Sequence, residues 1–181
     1  DTLFWGRRKA AFFCLYEMSM SCGARRINTE NICRGMDTIL KVSKTEYGNG
    51  LFASEEIPVS APICWYTSST GDEVKPLSLS ERMYAVACDY DGSSFVDGTP
   101  DGPANAEEGG AFTSGCYKVG GYANSPFGRT KTKANCRLMD ITAQIGNTDQ
   151  TGRRWLILYS SCSIDADQEV LLDYGKNYTM M

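Results

Sequence analysis

Tyr174 stands between Asp173 and Gly175, directly after the apolar triplet Val170-Leu171-Leu172. The triplet, preceded by the acidic turn residues of Ile164-Asp165-Ala166-Asp167-Gln168-Glu169, reads as a short buried strand, so the phenol falls where a strand ends and a site can open. A tyrosine there is either chemical or a core residue whose hydroxyl is satisfied. Far upstream, Gly48-Asn49-Gly50 sets two glycines around an asparagine. Without a Cβ they permit unusual dihedrals and let a ligand approach the backbone closely; a simple hairpin turn needs the same residues. Asn124, in Tyr122-Ala123-Asn124-Ser125, is a turn or cap residue on its own merits and a ligand contact only in company.

The elements that must position these groups are mostly strands. Residues 38–44 alternate as a strand does, and Gly48-Asn49-Gly50 is expected to turn the chain into Leu51-Phe52-Ala53. Ile63-Cys64-Trp65-Tyr66 reads as the next strand and residues 68–72 as a turn; residues 77–83 suit a short helix capped by Ser78 or Ser80. Residues 84–89 and 94–97 form an expected antiparallel pair around the turn signal Asp91-Gly92. Residues 98–121 are a long glycine-rich connection with a short helix near 111–117. Residues 135–141 and 154–160, with apolar side chains on both faces, read as buried strands. The expectation is one mainly β domain of several small curved sheets with short helices.

The chain has 181 residues, enough to bury a real core, and a net charge of −4. It holds no apolar run of the roughly 18–20 residues that span a bilayer and no signal-peptide pattern, so it reads as soluble and intracellular, with no membrane partner. It starts at Asp1, as a fragment or processed product would. Its 8 cysteines include no CxxC pair and there is no histidine, which argues against a local zinc site and leaves reduced buried thiols ahead of disulfides. From Tyr84 to Tyr117 there is no lysine or arginine, while Asp89, Asp91, Asp97, Asp101, Glu107 and Glu108 all fall there. Such a stretch repels nucleic acid and attracts a basic peptide, or is a solvated acidic loop. Residues 4–20, aromatic and aliphatic with little polar cover, suit a helix packed on the main domain or a partner. Residues 21–35 read as a connection with one helical turn near Asn28 or Thr29.

Taken in order, Tyr47-Gly48-Asn49-Gly50-Leu51-Phe52-Ala53 with Glu56-Ile57, then Tyr122-Ala123-Asn124-Ser125, Asn135-Cys136, and Asp167-Gln168-Glu169 with Asp173-Tyr174-Gly175, the chain resembles the SET-domain protein lysine methyltransferases. The resemblance covers roughly residues 38–178, taken as a SET-like catalytic domain, and leaves 1–37 as an N-terminal helical extension. It implies a β-clip of small curved sheets with a knot-like crossing near the C-terminus, and transfer of methyl from S-adenosylmethionine (SAM) to a lysine of a basic protein or peptide such as a histone tail, in the nucleus. It also implies roles: Gly48, Asn49 and Gly50 as the first cofactor loop; Tyr122, Ala123 and Asn124 against the cofactor's amino-acid part; Tyr174 touching both cofactor and reacting amine; Tyr84 and Leu172 lining the lysine channel. Glu169 and Asp173 are assigned to local backbone donors.

The sequence departs from the family's pattern in three places. The histidine that usually follows the asparagine is missing, and the basic segment Phe127-Gly128-Arg129-Thr130-Lys131-Thr132-Lys133 is inserted before Asn135. The cysteine-rich zinc module that follows Tyr174-Gly175 in many relatives does not occur within these 181 residues, so Cys136 is expected to be a buried thiol and the lid to come from the N-terminal segment, the 98–121 loop, a partner or sequence outside this chain. These departures keep a second reading open, a non-catalytic SET-like module that binds peptides or dimerises. A third, nucleic-acid binding through Arg129, Lys131 and Lys133, is disfavoured by the overall acidity. Nothing in the sequence sets an oligomeric state.

Overall fold

A computed structural model describes residues 36–78, 84–87, 94–101, 110–126, 132–145 and 152–174. The expected N-terminal helix, the helix at 77–83 beyond Ser78, the Asp91-Gly92 turn and most of the basic insertion lie outside the described residues.

Strand β1 (Ile39–Thr45) and strand β2 (Gly48–Ala53) form an antiparallel hairpin in which Thr45 faces Gly48. The turn is therefore Glu46-Tyr47, and Gly48-Asn49-Gly50 belongs to β2, which corrects the expectation that the glycines make the turn. Thr45 decides this. Its hydroxyl accepts from the Tyr47 amide at 3.1 Å and donates to the Gly48 carbonyl at 3.0 Å, while Gly48 takes a φ of 103° that a side chain would resist. The alternation of β1 sends Leu40 and Val42 into the core opposite Ala53 and Leu51.

Strands β3 (Pro62–Trp65), β4 (Asp72–Lys75), β5 (Ala85–Ala87), β6 (Phe95–Asp97) and β7 (Phe112–Thr113) follow. Then come β8 (Cys136–Asp140), the one-turn helix α1 (Thr142–Ile145), β9 (Arg153–Arg154) and β10 (Leu156–Ser160). Among the described residues they make three small sheets, in the orders β2-β1-β7, β3-β10-β8 and β5-β6-β4-β9. The architecture is mainly β, as expected. Pairing of β5 with β6 matches the expected hairpin. Strand β4 lay outside the expected elements, with Asp72 closing the expected turn and Asp72-Glu73-Val74-Lys75 offering one apolar residue; its partners β6 and β9 supply the pairing. The expected helix near 111–117 is instead β7 and a 3-10 turn at Ser114–Cys116. Strand β8 is not buried on both faces: it is an edge, with Arg137 and Asp140 exposed.

The main core gathers Leu40, Leu51, Ile63, Tyr66, Leu158, Ile164 and Leu172, and a second cluster holds Met36, Trp65, Ile141, Trp155 and Ile157. Gly71, at φ 76°, lies under the Trp155 ring, where an added Cβ would sit 2.6 Å from it. Lys118, 8% exposed, places its ammonium 2.6 Å from the Asp72 carboxylate and 2.6 Å from the Asp97 carbonyl, tying the four-stranded sheet to the segment that leads to Asn124. A buried lysine is tolerated only when paired in this way.

Residues 169–172 depart from the expected strand. Val170, Leu171 and Leu172 are buried, but they join their neighbours through isolated bridges. On leaving β2, where the Val170 amide donates to the Leu51 carbonyl at 2.7 Å, the segment runs between two others. The Leu172 amide donates to the Asn124 carbonyl at 2.9 Å, while the Asn135 and Cys136 amides donate to the Leu171 carbonyl at 3.0 and 3.1 Å. This is the knot-like crossing. Asn135, 4% exposed, completes it with its side chain: Nδ2 donates to the Glu169 carbonyl at 2.8 Å and Oδ1 accepts from the Leu171 amide at 2.7 Å. One carboxamide thus stands in for a peptide group of a neighbouring strand. Asn135→Ala leaves a buried amide and a carbonyl unmatched and is expected to cost about 2–4 kcal/mol of stability, measured by urea unfolding.

Candidate functional site

The crossing brings the separated sequence signals together. Asn124 Nδ2 donates to the Glu169 carboxylate at 2.9 Å and to the Asn49 carbonyl at 3.3 Å, from residues 45 and 75 positions away. Gly50 lies against the same groups: a Cβ there would come within 2.8 Å of Glu169 Oε1, 3.1 Å of Asn124 Nδ2 and 2.7 Å of the Thr45 methyl. A glycine is required because three side chains already fill the space. Asn49 Oδ1 is buried and finds no partner among the described residues. A buried acceptor without a donor carries a desolvation cost that a bound donor would remove.

Tyr174 closes the other side of this group. Its hydroxyl donates to the Ala123 carbonyl at 2.5 Å, so the phenol is fixed beside the residue that precedes Asn124. The ring is half-buried and packs on the main core, as does that of Tyr122. Tyr122 follows from a 3-10 turn at Gly120–Tyr122 that brings its backbone beside Asn124. Burial, and secondarily the Tyr84 phenol and the Asp101 carboxylate, push the Tyr122 hydroxyl above its ordinary value. The Tyr84 carbonyl accepts from the Tyr66 hydroxyl at 2.7 Å and from the Gly98 amide at 3.1 Å.

The structure thus gathers Asn49, Gly50, Ala123, Asn124 and Tyr174, with Tyr122 next to them in the chain, while Tyr84 is held through its carbonyl by Tyr66 and Gly98. Gly48 is exposed at the hairpin end, and Leu172 is 2% exposed within the main core. Glu169 was expected to serve a local backbone donor; in the fold its carboxylate accepts from the Asn124 side chain, 45 positions away. Asp173 is exposed. Cys136 is buried and its Sγ lies 3.3 Å from the Leu171 carbonyl. Burial, and then Cys162, push its thiol well up, which suits an inert core thiol. Among the described residues no cluster of side chains could hold a metal ion, and no helix is long and apolar enough to cross a membrane.

Asp97 and Asp101 represent the acidic stretch near Tyr122. Burial alone would raise the Asp97 carboxyl; the side-chain and backbone hydrogen bonds from Thr99 and the charges of Lys118 and Lys75 outweigh it and hold the group below its ordinary value.

No protein-family model matches the sequence, and no curated protein is similar to it. Solved structures are. A humanized mutant of the Chaetomium thermophilum Polycomb Repressive Complex 2, bound to the inhibitor GSK126, matches over 95% of this chain and 19% of that chain, with a TM-score of 0.50 and 16% identity. The fold is SET-like. A candidate histone methyltransferase of Plasmodium falciparum matches over 78% of this chain and 96% of that one, with a TM-score of 0.44 and 14% identity. The apo complex from the former source, substituted in Ezh2, matches at 17% identity over 81% of this chain and 16% of that chain, with a TM-score of 0.49. The chain spans about a fifth of the Polycomb protein it matches. At such identities the likeness is one of fold.

Two outcomes follow from the SET-like site. Gly50→Ala drives a methyl group into Thr45, Glu169 and Asn124 and is expected to lower stability by about 1–3 kcal/mol, measured by urea unfolding. A carboxyl held low in the folded state stabilises the fold above its unfolded value and stops doing so as pH falls through its folded value. Asp97→Asn is therefore expected to be less stable than the natural protein at about pH 6, with the gap narrowing below about pH 4 in urea unfolding.

Proposed function

We propose that this chain is a SAM-dependent protein-lysine methyltransferase acting on a basic protein or peptide, a histone tail being the natural candidate, in the nucleus. The observation that carries the reading is the convergence of Tyr174, Ala123, Asn124 and Asn49 at the crossing of a SET-like fold. Residues 38–178 are taken as the catalytic unit and 1–37 as an extension.

The residues present suit the cofactor's amino-acid end. Asn49 Oδ1 is a buried acceptor without a donor among the described residues, and Asn124 spends Nδ2 on Glu169 and Asn49, so that its Oδ1 takes part in neither bond. Two carbonyl-type acceptors favour a ligand ammonium. Gly50 and the backbone at Tyr122 and Ala123 would complete that contact. When bound, SAM supplies a methyl group activated by a sulfonium.

The protein's part is to present a neutral amine. A free lysine titrates near roughly 10.4, and a partly buried channel disfavours its charged form. Tyr122 and Tyr84 would line that channel. Tyr174 donates a hydrogen bond to the Ala123 carbonyl, which fixes the phenol where it can align the amine; its contribution is alignment rather than strong base catalysis. Asp97 and Asp101 set negative charge near Tyr122, as a basic peptide requires.

The missing histidine and the basic insertion after Asn124 favour one other reading, a SET-like module that binds peptide without transferring methyl. Transfer of labelled methyl from SAM into mixed histones distinguishes them. Transfer is expected, and Tyr174→Phe should lower it about 100-fold through misalignment while SAM binding persists. Absence of both transfer and SAM binding at millimolar concentration would overturn the enzyme reading.

A further inference from the structure

Glu169 has a task that neither its sequence context nor the proposed reaction assigns. Its carboxylate is half-buried and accepts a hydrogen bond from Asn124 Nδ2 at 2.9 Å. The second proton of that amide points at the Asn49 carbonyl at 3.3 Å. Both neighbours present oxygen acceptors to the amide. Turning the Asn124 carboxamide over would set its oxygen against a carbonyl and a carboxylate, a doubly repulsive arrangement, so the orientation follows from chemistry. The consequence falls on the other end of the amide. With Nδ2 held by both partners, Oδ1 must face away from them. Glu169 Oε1 also lies against Gly50, where a Cβ would meet it at 2.8 Å, so the carboxylate is confined between β2 and Asn124.

We propose that Glu169 is a positioning residue that locks the Asn124 carboxamide with its oxygen toward the ligand, so that the site selects a ligand carrying a free amino group. The inference rests on the methyltransferase reading for the identity of that ligand. Without Glu169 the carboxamide is held by the longer bond to Asn49 alone and can present either a donor or an acceptor. A donor there would oppose an ammonium. Glutamine at position 169 still offers a side-chain oxygen to Asn124 Nδ2, whereas alanine offers none.

The test compares S-adenosylhomocysteine with its analogue lacking the α-amino group, by calorimetry, on the full chain. The natural protein is expected to prefer the amino compound. Glu169→Ala should reduce that preference about tenfold by weakening the amino compound alone, and Glu169→Gln should keep it within about threefold. Equal loss of both ligands in Glu169→Ala, no loss of either, or a Glu169→Gln variant as impaired as Glu169→Ala would each overturn the proposal. A second readout needs no ligand. In the unliganded protein, solvent exchange of the Asn124 carboxamide protons, followed by NMR, should be slow in the natural protein and Glu169→Gln and fast in Glu169→Ala; equal exchange in all three also overturns it. A natural protein that binds neither nucleoside but shows the exchange pattern would sink the methyltransferase reading while leaving the locked carboxamide standing.

Discussion

The hydrogen bonds that Asn135 makes across the C-terminal crossing are the constraint on which the rest depends. This segment joins its neighbours through isolated bridges rather than a continuous ladder, yet Val170 to Leu172 is too buried to leave its backbone groups unmatched. Asn135 solves this with one carboxamide that both donates and accepts, and the backbones of Asn124, Asn135 and Cys136 supply the remaining partners. Once the segment is fixed, the position of Tyr174 is fixed as well. The phenol follows Leu172 by two residues and meets the Ala123 carbonyl from the preceding strand of the crossing.

The same constraint assembles the polar group beside it. Residue 169 is bound at its backbone by Asn135 and at its side chain by Asn124, so the crossing and the site share a residue. Gly50 then has no freedom to be anything larger, because β2 is held against the crossing by the bond from Val170 to Leu51. A site built at the junction of three segments is rigid where a site on one loop would not be. Such rigidity favours alignment of reacting groups over chemistry by strong acids or bases.

The four-stranded sheet is joined to this region by a different interaction. Lys118 reaches from the segment before Val119 to Asp72 on β4 and to the carbonyl of Asp97 at the end of β6. The backbone of Lys118 also exchanges two hydrogen bonds with Asp101. Tyr66 adds a further tie to the Tyr84 carbonyl. The side bearing Tyr84 and Tyr122 and the side bearing Asn124 and Tyr174 are thereby parts of one framework.

Strands with strong alternation or β-branched and aromatic runs were legible in the sequence: β1, β3, β10 and the β5–β6 pair stand where the pattern put them. The residues that meet at the crossing were singled out only by their resemblance to a family's motif order, because glycine, asparagine and tyrosine taken singly have ordinary structural uses. Where short polar segments acquire structure from their neighbours, the sequence was silent. Asp72-Glu73-Val74-Lys75 is a strand only because β6 and β9 lie beside it, and Gly48-Asn49-Gly50 is strand rather than turn because Thr45 closes the hairpin earlier. The sequence by itself determined which residue types were available for chemistry and which faces had to be buried. Only the tertiary structure decided that Glu169 serves Asn124 and that Asn135 substitutes for a strand, because both depend on contacts between residues tens of positions apart, which local periodicity does not encode.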